Sequence, residues 1–142
     1  MIRKRIRLDK AGIEKKFGVS KPEYPRFSVK DNDVEILGYW TDRGEVAFAK
    51  KEFDGWTSIY VGAAPLPVEI LRWLVEQAGV KIWCSKPDIV YATQDIAMII
   101  ATEKGERELI FAEPMMNVEG GNPAKVHRLD MDFGDVKIFR VV

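Results

Sequence analysis

The stretch that decides the fold covers residues 55–80 and reads GWTSIYVGAAPLPVEILRWLVEQAGV. Its first part, 57–61, is rich in β-branched and aromatic residues, which favour a strand. A glycine and two prolines follow, and Pro67 suits the first position of a helix because its missing N–H needs no partner there. Apolar residues then recur at helical spacing, and Gly79 suits the left-handed cap that ends a helix. The stretch therefore predicts a strand, a loop and one main helix at about 67–78.

Short strands and turns are predicted on both sides of this stretch. The predicted strands contain alternating or β-branched apolar residues and lie at 34–40, 46–50, 56–61, 80–84, 89–93, 96–101, 107–111, 126–133 and 136–142. The first three are joined by turns short enough for an antiparallel meander. We expect hairpins between the seventh strand and the sixth and between the last two strands, with a long loop at 112–125. The predicted fold class is α+β, with mostly antiparallel sheets, a small sandwich-like domain formed by the C-terminal hairpins, and one main helix.

The N-terminal residues differ in charge from the rest of the chain. Residues 1–30 hold ten Lys or Arg and three Asp or Glu, a balance of +7, whereas residues 31–142 hold twelve and nineteen, a balance of −7. Such asymmetry can indicate a nucleic-acid-binding arm, but no aromatic residues interleave the basic ones, so we expect no nucleic-acid partner. We predict a basic leader over 1–26 that includes a short amphipathic helix around 10–17.

Composition also bears on the cellular location. No run in the sequence approaches the ~20 apolar residues of a membrane span, so we expect no membrane partner. The basic N-terminus is not followed by the apolar segment of a secretory signal. Cys84 is the single cysteine, which excludes an internal disulfide and fits a reducing cytoplasm. The many Lys, Arg and Glu residues resemble a thermophile composition. We predict a cytoplasmic protein in which Cys84 is a packed thiol.

The most suggestive polar cluster contains His127, Asp130, Asp132 and Asp135. Alternation along a strand places the histidine on one face with Leu129, Met131 and Phe133, and directs two of the aspartates to the other face. A nucleophilic triad needs a histidine beside a Ser or Cys, but His127 is the single histidine and nothing marks Ser58 or Cys84 as activated. The loop after 57–61 lacks the glycine spacing and lysine of a phosphate loop. We therefore predict no catalytic residue, no metal ligand and no cofactor. A small hydrolase with a site near His127 remains an alternative.

Aromatic residues indicate another kind of site. The tryptophans that could stack on sugar rings are Trp40, Trp56 and Trp83, whereas Trp73 lies in the predicted helix. Burial is the commoner role of tryptophan because of its large apolar area. A carbohydrate-binding module that uses exposed aromatics is therefore an alternative function, and it would require exposed, coplanar rings in a groove.

Four segments carry a resemblance to a known family: DVEILGYW at 33–40, GEVAFAKK at 44–51, the stretch 55–80, and DIVYAT at 88–93. They are similar to the C-terminal region of β-galactosidase-like (family 42-like) glycoside hydrolases. In that family a catalytic (β/α)₈ barrel precedes a flavodoxin-like, glutamine-amidotransferase-like trimerisation domain and a small β-domain. The resemblance implies that 27–84 corresponds to the end of the flavodoxin-like domain and 85–142 to the small β-domain.

The resemblance implies a non-catalytic accessory or assembly domain. A barrel alone takes ~250 residues, and no position in this chain matches the segments that hold the catalytic glutamates. The strand and helix of 55–80 would lack the neighbouring strands of a flavodoxin-like sheet. We expect their apolar flank to be covered by another copy of the chain, in a homo-oligomer, or by a separate glycosidase-type polypeptide. The predicted interface residues are Ile59, Val61, Ile70, Trp73 and Leu74.

Overall fold

The computed structural model describes residues 6–10, 13–18 and 25–142. The chain divides into two compact units, Met1–Leu71 and Arg72–Val142. Each unit contains a five-stranded antiparallel sheet, and the described residues include one α-helix. The predicted fold class of mostly antiparallel sheets with one main helix is therefore confirmed for the described residues. The three-part division of the chain expected from the sequence stays a prediction.

The sheet of the first unit consists of β1 (Ile6–Lys10), β2 (Ile13–Phe17), β3 (Glu35–Trp40), β4 (Val46–Phe53) and β5 (Trp56–Val61). Its strand order is β2-β1-β3-β4-β5, so the predicted meander is confirmed as the run β3-β4-β5. The turn between β4 and β5 contains Gly55 at a φ of 78°, a conformation that glycine adopts without steric cost. Phe48 and Phe17 meet edge to face in the core of this unit, with ring centroids 6.2 Å apart.

The short helix predicted around 10–17 is wrong. The backbone there forms β1 and β2, which pair antiparallel with each other, and β1 pairs in turn with β3. A run of a few apolar residues among charges fits both helical and strand spacing, and the open edge of β3 supplies the hydrogen bonds that favour a strand. Most of the remainder of the expected leader lies outside the described residues.

The helix α1 covers Val68–Gln77, close to the predicted 67–78. The Pro67 carbonyl accepts the Leu71 N–H at 3.0 Å, which starts the helical hydrogen-bond pattern. Gly79 ends it at a φ of 73°, and the Val80 N–H donates to the Val75 carbonyl at 2.9 Å, as in a left-handed cap. In the described part of the chain, no helix is both long and apolar enough to cross a bilayer.

The sheet of the second unit consists of β6 (Ile89–Ala92), β7 (Ile96–Ile100), β8 (Gly105–Asn117), β9 (Ala124–Met131) and β10 (Val136–Val141). Its strand order is β6-β7-β10-β8-β9. The last strand of the chain therefore lies in the middle of the sheet. It pairs antiparallel with β7 on one side and with the end of β8 on the other.

Both predicted C-terminal hairpins are wrong, because β10 separates β7 from β8 and β8 separates β10 from β9. The turn before β10 shows the physical reason. The Gly134 N–H donates to the Ala101 carbonyl and the Ala101 N–H donates to the Asp135 carbonyl, both at 2.9 Å. These two bonds fix the start of β10 beside the end of β7 and away from β9.

Two further segments differ from the prediction. The long loop expected at 112–125 is mostly strand, since β8 continues to Asn117 and β9 starts at Ala124. The strand expected at 80–84 contributes a single bridge between Cys84 and Leu109. Both segments nevertheless contribute to the core of the second unit. The core residues are Cys84, Ala97, Ile99, Leu109, Phe111, Met115 and Phe139.

Candidate functional site

The second unit exposes an apolar sheet face, which we call the outer face. It consists of Ile89, Tyr91, Ile96, Met98, Ile100, Val136 and Ile138. The strand register aligns these residues in three adjacent strands: Ile100 lies between Ile89 and Val136, and Met98 lies between Tyr91 and Ile138. Five of the seven are exposed, including Tyr91 at 60% and Ile96 at 50%.

The opposite side of the same strands is the core of the unit. Ala97, Ile99 and Phe139 alternate with the outer-face residues and are fully buried. An antiparallel sheet with one solvated side normally carries polar residues on that side. Here the register places a single charged residue, Arg140, among the eight positions of the three aligned rows. The three strands β6, β7 and β10 are therefore apolar on both sides, as in strands that are covered on both, whereas β8 and β9 carry charged residues on their outward side.

The contiguity of the outer face supports the same interpretation. Five of its seven side chains are exposed and adjacent in the strand register, and a contiguous exposed apolar patch of this kind is often functional. Scattered exposed apolar residues need no explanation, but contiguous ones cost free energy in water, at about 25 cal/mol per Å². The outer face therefore has the properties of an interaction surface.

A buried ion pair lies at one end of this unit. The Arg107 Nε and an Asp88 carboxylate oxygen are 2.6 Å apart, and both side chains are fully buried. The guanidinium also donates to the carbonyls of Glu103, at 2.7 Å, and Met131, at 3.3 Å. The other Asp88 oxygen accepts the Thr102 N–H at 2.9 Å. The pair thus connects the start of β6 with β8, β9 and the turn after β7.

Nothing in the sequence indicated this pair. Asp88 stood in a predicted turn and Arg107 in a predicted strand, where charged residues usually face solvent. Cys84 lies beside it, with its Sγ 3.5 Å from the Asp88 carboxylate, and burial raises the pKa of the Cys84 thiol. Cys84 is packed as predicted. The burial of the pair and of the thiol suits a role in holding this unit together.

A shallow cavity of about 300 Å³ lies near the ion pair, lined by Ser85, Glu106, Arg107, Glu108, Arg128, Leu129 and Asp130. The charges at its rim are partly paired, since the Arg128 Nε donates to the Glu108 carboxylate at 3.0 Å. The Ser85 hydroxyl accepts the Glu108 N–H at 2.9 Å. Among the described residues, no group of three or more His, Cys, Asp or Glu is placed to hold a metal ion. The lining indicates no reaction.

His127 packs within the sheet. Its ring centroid lies 4.7 Å from that of Phe139 and 5.9 Å from that of Phe111. Its Nε2 is 2.9 Å from the Met115 carbonyl and 3.0 Å from the Ala124 carbonyl. Both carbonyls are acceptors, so this nitrogen carries a proton and donates. The imidazole is thus held by backbone groups and aromatic rings, and it does not line the cavity described above.

The predicted alternation around His127 is correct within the strand. Leu129 packs against the core and Met131 is buried, whereas Asp130 is exposed. Phe133 departs from the prediction, because β9 ends at Met131 and Phe133 is exposed in the following turn. The arrangement places His127 among apolar groups.

The three predicted sugar-stacking tryptophans have different environments. Trp40 is 2% exposed and donates its Nε1–H to the Phe27 carbonyl at 3.2 Å, so its buried ring cannot form an exposed platform. Trp83 is half-buried and meets Phe111 edge to face. Trp56 is 58% exposed and stacks on Phe53. The structure therefore leaves Trp56 as the open ring of the three.

The predicted interface residues also differ in exposure. Ile70 is fully buried, so the expectation that it faces a partner is wrong. Val61, Trp73 and Leu74 are half-buried, and Ile59 is the exposed member of the set. The interface residues predicted from the sequence include none of the outer face, where the exposed apolar residues are contiguous. The available signal was the run of apolar residues at both odd and even positions of 96–100, which is typical of a strand covered on both sides.

No protein-family model matches the chain, and no curated protein matches it. Among solved structures, the chain is similar to a β-galactosidase from Bacillus circulans sp. alkalophilus, with a TM-score of 0.61 and 17% sequence identity. The match covers 98% of this chain and 22% of that β-galactosidase. The resemblance noted in the sequence thus extends to the fold, and the chain has a weak structural relation to β-galactosidases.

Proposed function

We propose that the protein is a non-catalytic accessory or assembly domain related to the C-terminal region of β-galactosidase-like glycoside hydrolases. The observation that carries the proposal is the outer face, a contiguous apolar surface on a sheet whose other side is already the core. The fold similarity to 22% of a β-galactosidase supports it, because a domain of that kind packs within a longer chain. The small sandwich-like form of the C-terminal part and a cytoplasmic location belong to the same proposal.

The proposed partner is a separate glycosidase-type polypeptide or a second copy of the chain. Two outer faces in contact would cover the same apolar patch on both copies, as in the self-complementary interface of a symmetric dimer. A surface with few charged groups suits either partner, since burying an unpaired charge is costly. The exposed Ile59 belongs to the alternative interface expected from the sequence.

Two isoleucines allow the two surfaces to be compared. Ile138 on the outer face is 36% exposed and Ile59 on β5 is 38% exposed. We would measure mass by size exclusion with light scattering for the wild type, Ile138→Asp and Ile59→Asp. Each would be run alone and mixed with a barrel-type glycosidase encoded beside it. We expect the wild type to form a defined oligomer or complex, Ile138→Asp to abolish it, and Ile59→Asp to retain it.

The other results identify which part of the proposal fails. Loss of the complex in Ile59→Asp alone would transfer the interface to the surface predicted from the sequence. A well-folded wild type that is monomeric at micromolar concentration and ignores the glycosidase would overturn the assembly role. Circular dichroism of both variants separates a lost interface from a lost fold.

A further inference from the structure

We propose that the first unit carries a carbohydrate-binding surface formed by Phe53, Trp56 and the groove beside them. The surface lies on a different unit from the outer face, so the inference is independent of the assembly role. It takes a neutral sugar chain as ligand.

The aromatic part is a pair of parallel, stacked rings at the end of the β4–β5 hairpin. The rings of Phe53 and Trp56 are 4.2 Å apart at their centroids and only 6° from parallel. Both side chains are exposed, Trp56 at 58%. Phe53 supports one side of the indole, and the exposed remainder of the indole is open to a ligand. An aromatic ring combines a large apolar area with low conformational entropy, which suits it to stack on the C–H face of a sugar.

Two polar side chains, Lys51 and Ser58, lie next to the aromatic pair on the same face of the hairpin. The register pairs Phe53 with Trp56, Lys51 with Ser58, and Ala49 with Tyr60, so these side chains lie on one side of β4 and β5. Residues 29–34 form the opposite wall of a groove of about 160 Å³, which Phe53 also lines. This volume is below the ~300–1,000 Å³ of pockets that enclose a small ligand, as expected for a groove that holds part of a chain.

The groove is held in place before any ligand arrives. The Lys51 ammonium forms an ion pair with Asp31, whose carboxylate also accepts the Asp33 N–H at 2.9 Å. The hydrogen bond from Lys51 and the backbone bond from Asp33 hold the pKa of Asp31 below its usual range. The Tyr60 hydroxyl donates to the Phe27 carbonyl at 3.2 Å. Fixed walls reduce the entropy lost on binding.

The chemistry of these groups points to sugars. A sugar residue presents an apolar face of C–H groups and a rim of hydroxyls that both donate and accept hydrogen bonds. Phe53 and Trp56 match the first, while Lys51, Asp31 and Ser58 supply donors and acceptors for the second. Lys51 pairs with both Asp31 at 2.5 Å and Asp33 at 3.6 Å, so its charge is already neutralised, which favours a neutral ligand over an anionic one.

The test uses isothermal titration calorimetry of the whole protein with three neutral probes: cellohexaose, xylohexaose and β-1,4-linked galactotetraose. We expect heat of binding with at least one probe. Trp56→Ala should weaken that binding about tenfold to a hundredfold, because one buried aromatic side chain contributes that factor. Tyr39→Ala is the matched control, since Tyr39 is an exposed aromatic of the same sheet that does not line the groove.

A second variant keeps the test decisive if Trp56→Ala does not fold by circular dichroism. Lys51→Met leaves both rings in place and removes the polar contact, so it should weaken binding while the aromatic pair remains. The inference is overturned if the wild type binds none of the three probes at millimolar concentration. It is equally overturned if a probe binds and Lys51→Met and any folded Trp56→Ala bind it as tightly as the wild type. In either case Phe53 and Trp56 would be a cross-strand pair that only stabilises the hairpin.

Discussion

The two sheets of the protein have the same number of strands and the same antiparallel pairing, but their exposed sides differ in chemistry. The sheet of the first unit presents Phe53 and Trp56 beside a mainly apolar groove that contains a paired lysine and aspartate. In the sheet of the second unit, β6, β7 and β10 present a contiguous apolar surface, and one charged pair, Arg107 and Asp88, is fully buried.

This difference underlies the two different kinds of partner proposed for the two units. A stacked aromatic pair beside hydrogen-bonding groups matches a ligand with both apolar and polar sides. A wide aliphatic face has no directional contacts to offer, so it matches another apolar surface of similar size. The two units also differ in where their charged pairs lie: Lys51 and Asp31 are at the surface, whereas Arg107 and Asp88 are buried. The exposed pair can serve a ligand, whereas the buried pair can only hold its own unit together.

The largest expected effect concerns the buried pair. Asp88→Ala should destabilise the second unit by about 3–5 kcal/mol, because it leaves the Arg107 charge buried without its partner. It also removes the acceptor of the Thr102 N–H. The measurement is the urea dependence of Cys84 labelling by a thiol reagent, since Cys84 is buried in the core of this unit.

The control for that prediction is Asp132→Ala. Asp132 pairs with Lys104 at 2.7 Å on the surface, where both side chains are mostly exposed and such pairs contribute little. Equal effects of the two substitutions would mean that the buried Arg107–Asp88 pair contributes no more to stability than the exposed Lys104–Asp132 pair.

The next effect tests which side of the second sheet is the core. Phe139→Ala should cost about 3–5 kcal/mol, because the side chain is fully buried in the centre of the sheet and its loss leaves a cavity. Phe133→Ala, at an exposed turn, should leave the stability unchanged. The same labelling measurement applies. A small effect of Phe139→Ala would show that the core is less tightly packed than its burial indicates.

The smallest expected effect is a change of stability with pH, which should occur in alkali for the second unit and in acid for the first. Burial raises the pKa of Cys84 above its unfolded value, so folding favours the protonated thiol. That contribution is present below about pH 8.5, the pKa of an unperturbed cysteine, and is lost as the pH rises through the folded pKa. The pKa of Asp31 is lowered by Lys51, so its contribution is present above about pH 3.9 and is lost as the pH falls through the folded pKa.

Unfolding in urea followed by circular dichroism, at a series of pH values, measures both effects. The alkaline loss should disappear in Cys84→Ala, and the stability difference between wild type and Asp31→Asn should vanish in acid. An alkaline loss of the same size in Cys84→Ala would assign that loss to other groups.

Local features of the fold could be predicted from the sequence. The helix, its glycine cap and the β3-β4-β5 meander follow from short-range rules: proline at a helix start, glycine at a positive φ, and short turns of two to five residues between the strands. The alternation that places His127 among apolar residues is equally local, because neighbouring side chains of a strand point to opposite faces.

The tertiary structure alone decided which strands pair across longer distances. The insertion of β10 between β7 and β8 depends on hydrogen bonds between residues 101 and 134–135, which no local pattern encodes. That insertion aligns Ile138 with Met98 and so creates the outer face. It also places Phe139 opposite Ala97, in the buried core of the second unit. The groove at Lys51 likewise requires residues 29–34 to lie against β4 and β5. Apolar and charged residues can be counted in the sequence, but whether they are contiguous, paired or buried depends on the folded neighbours.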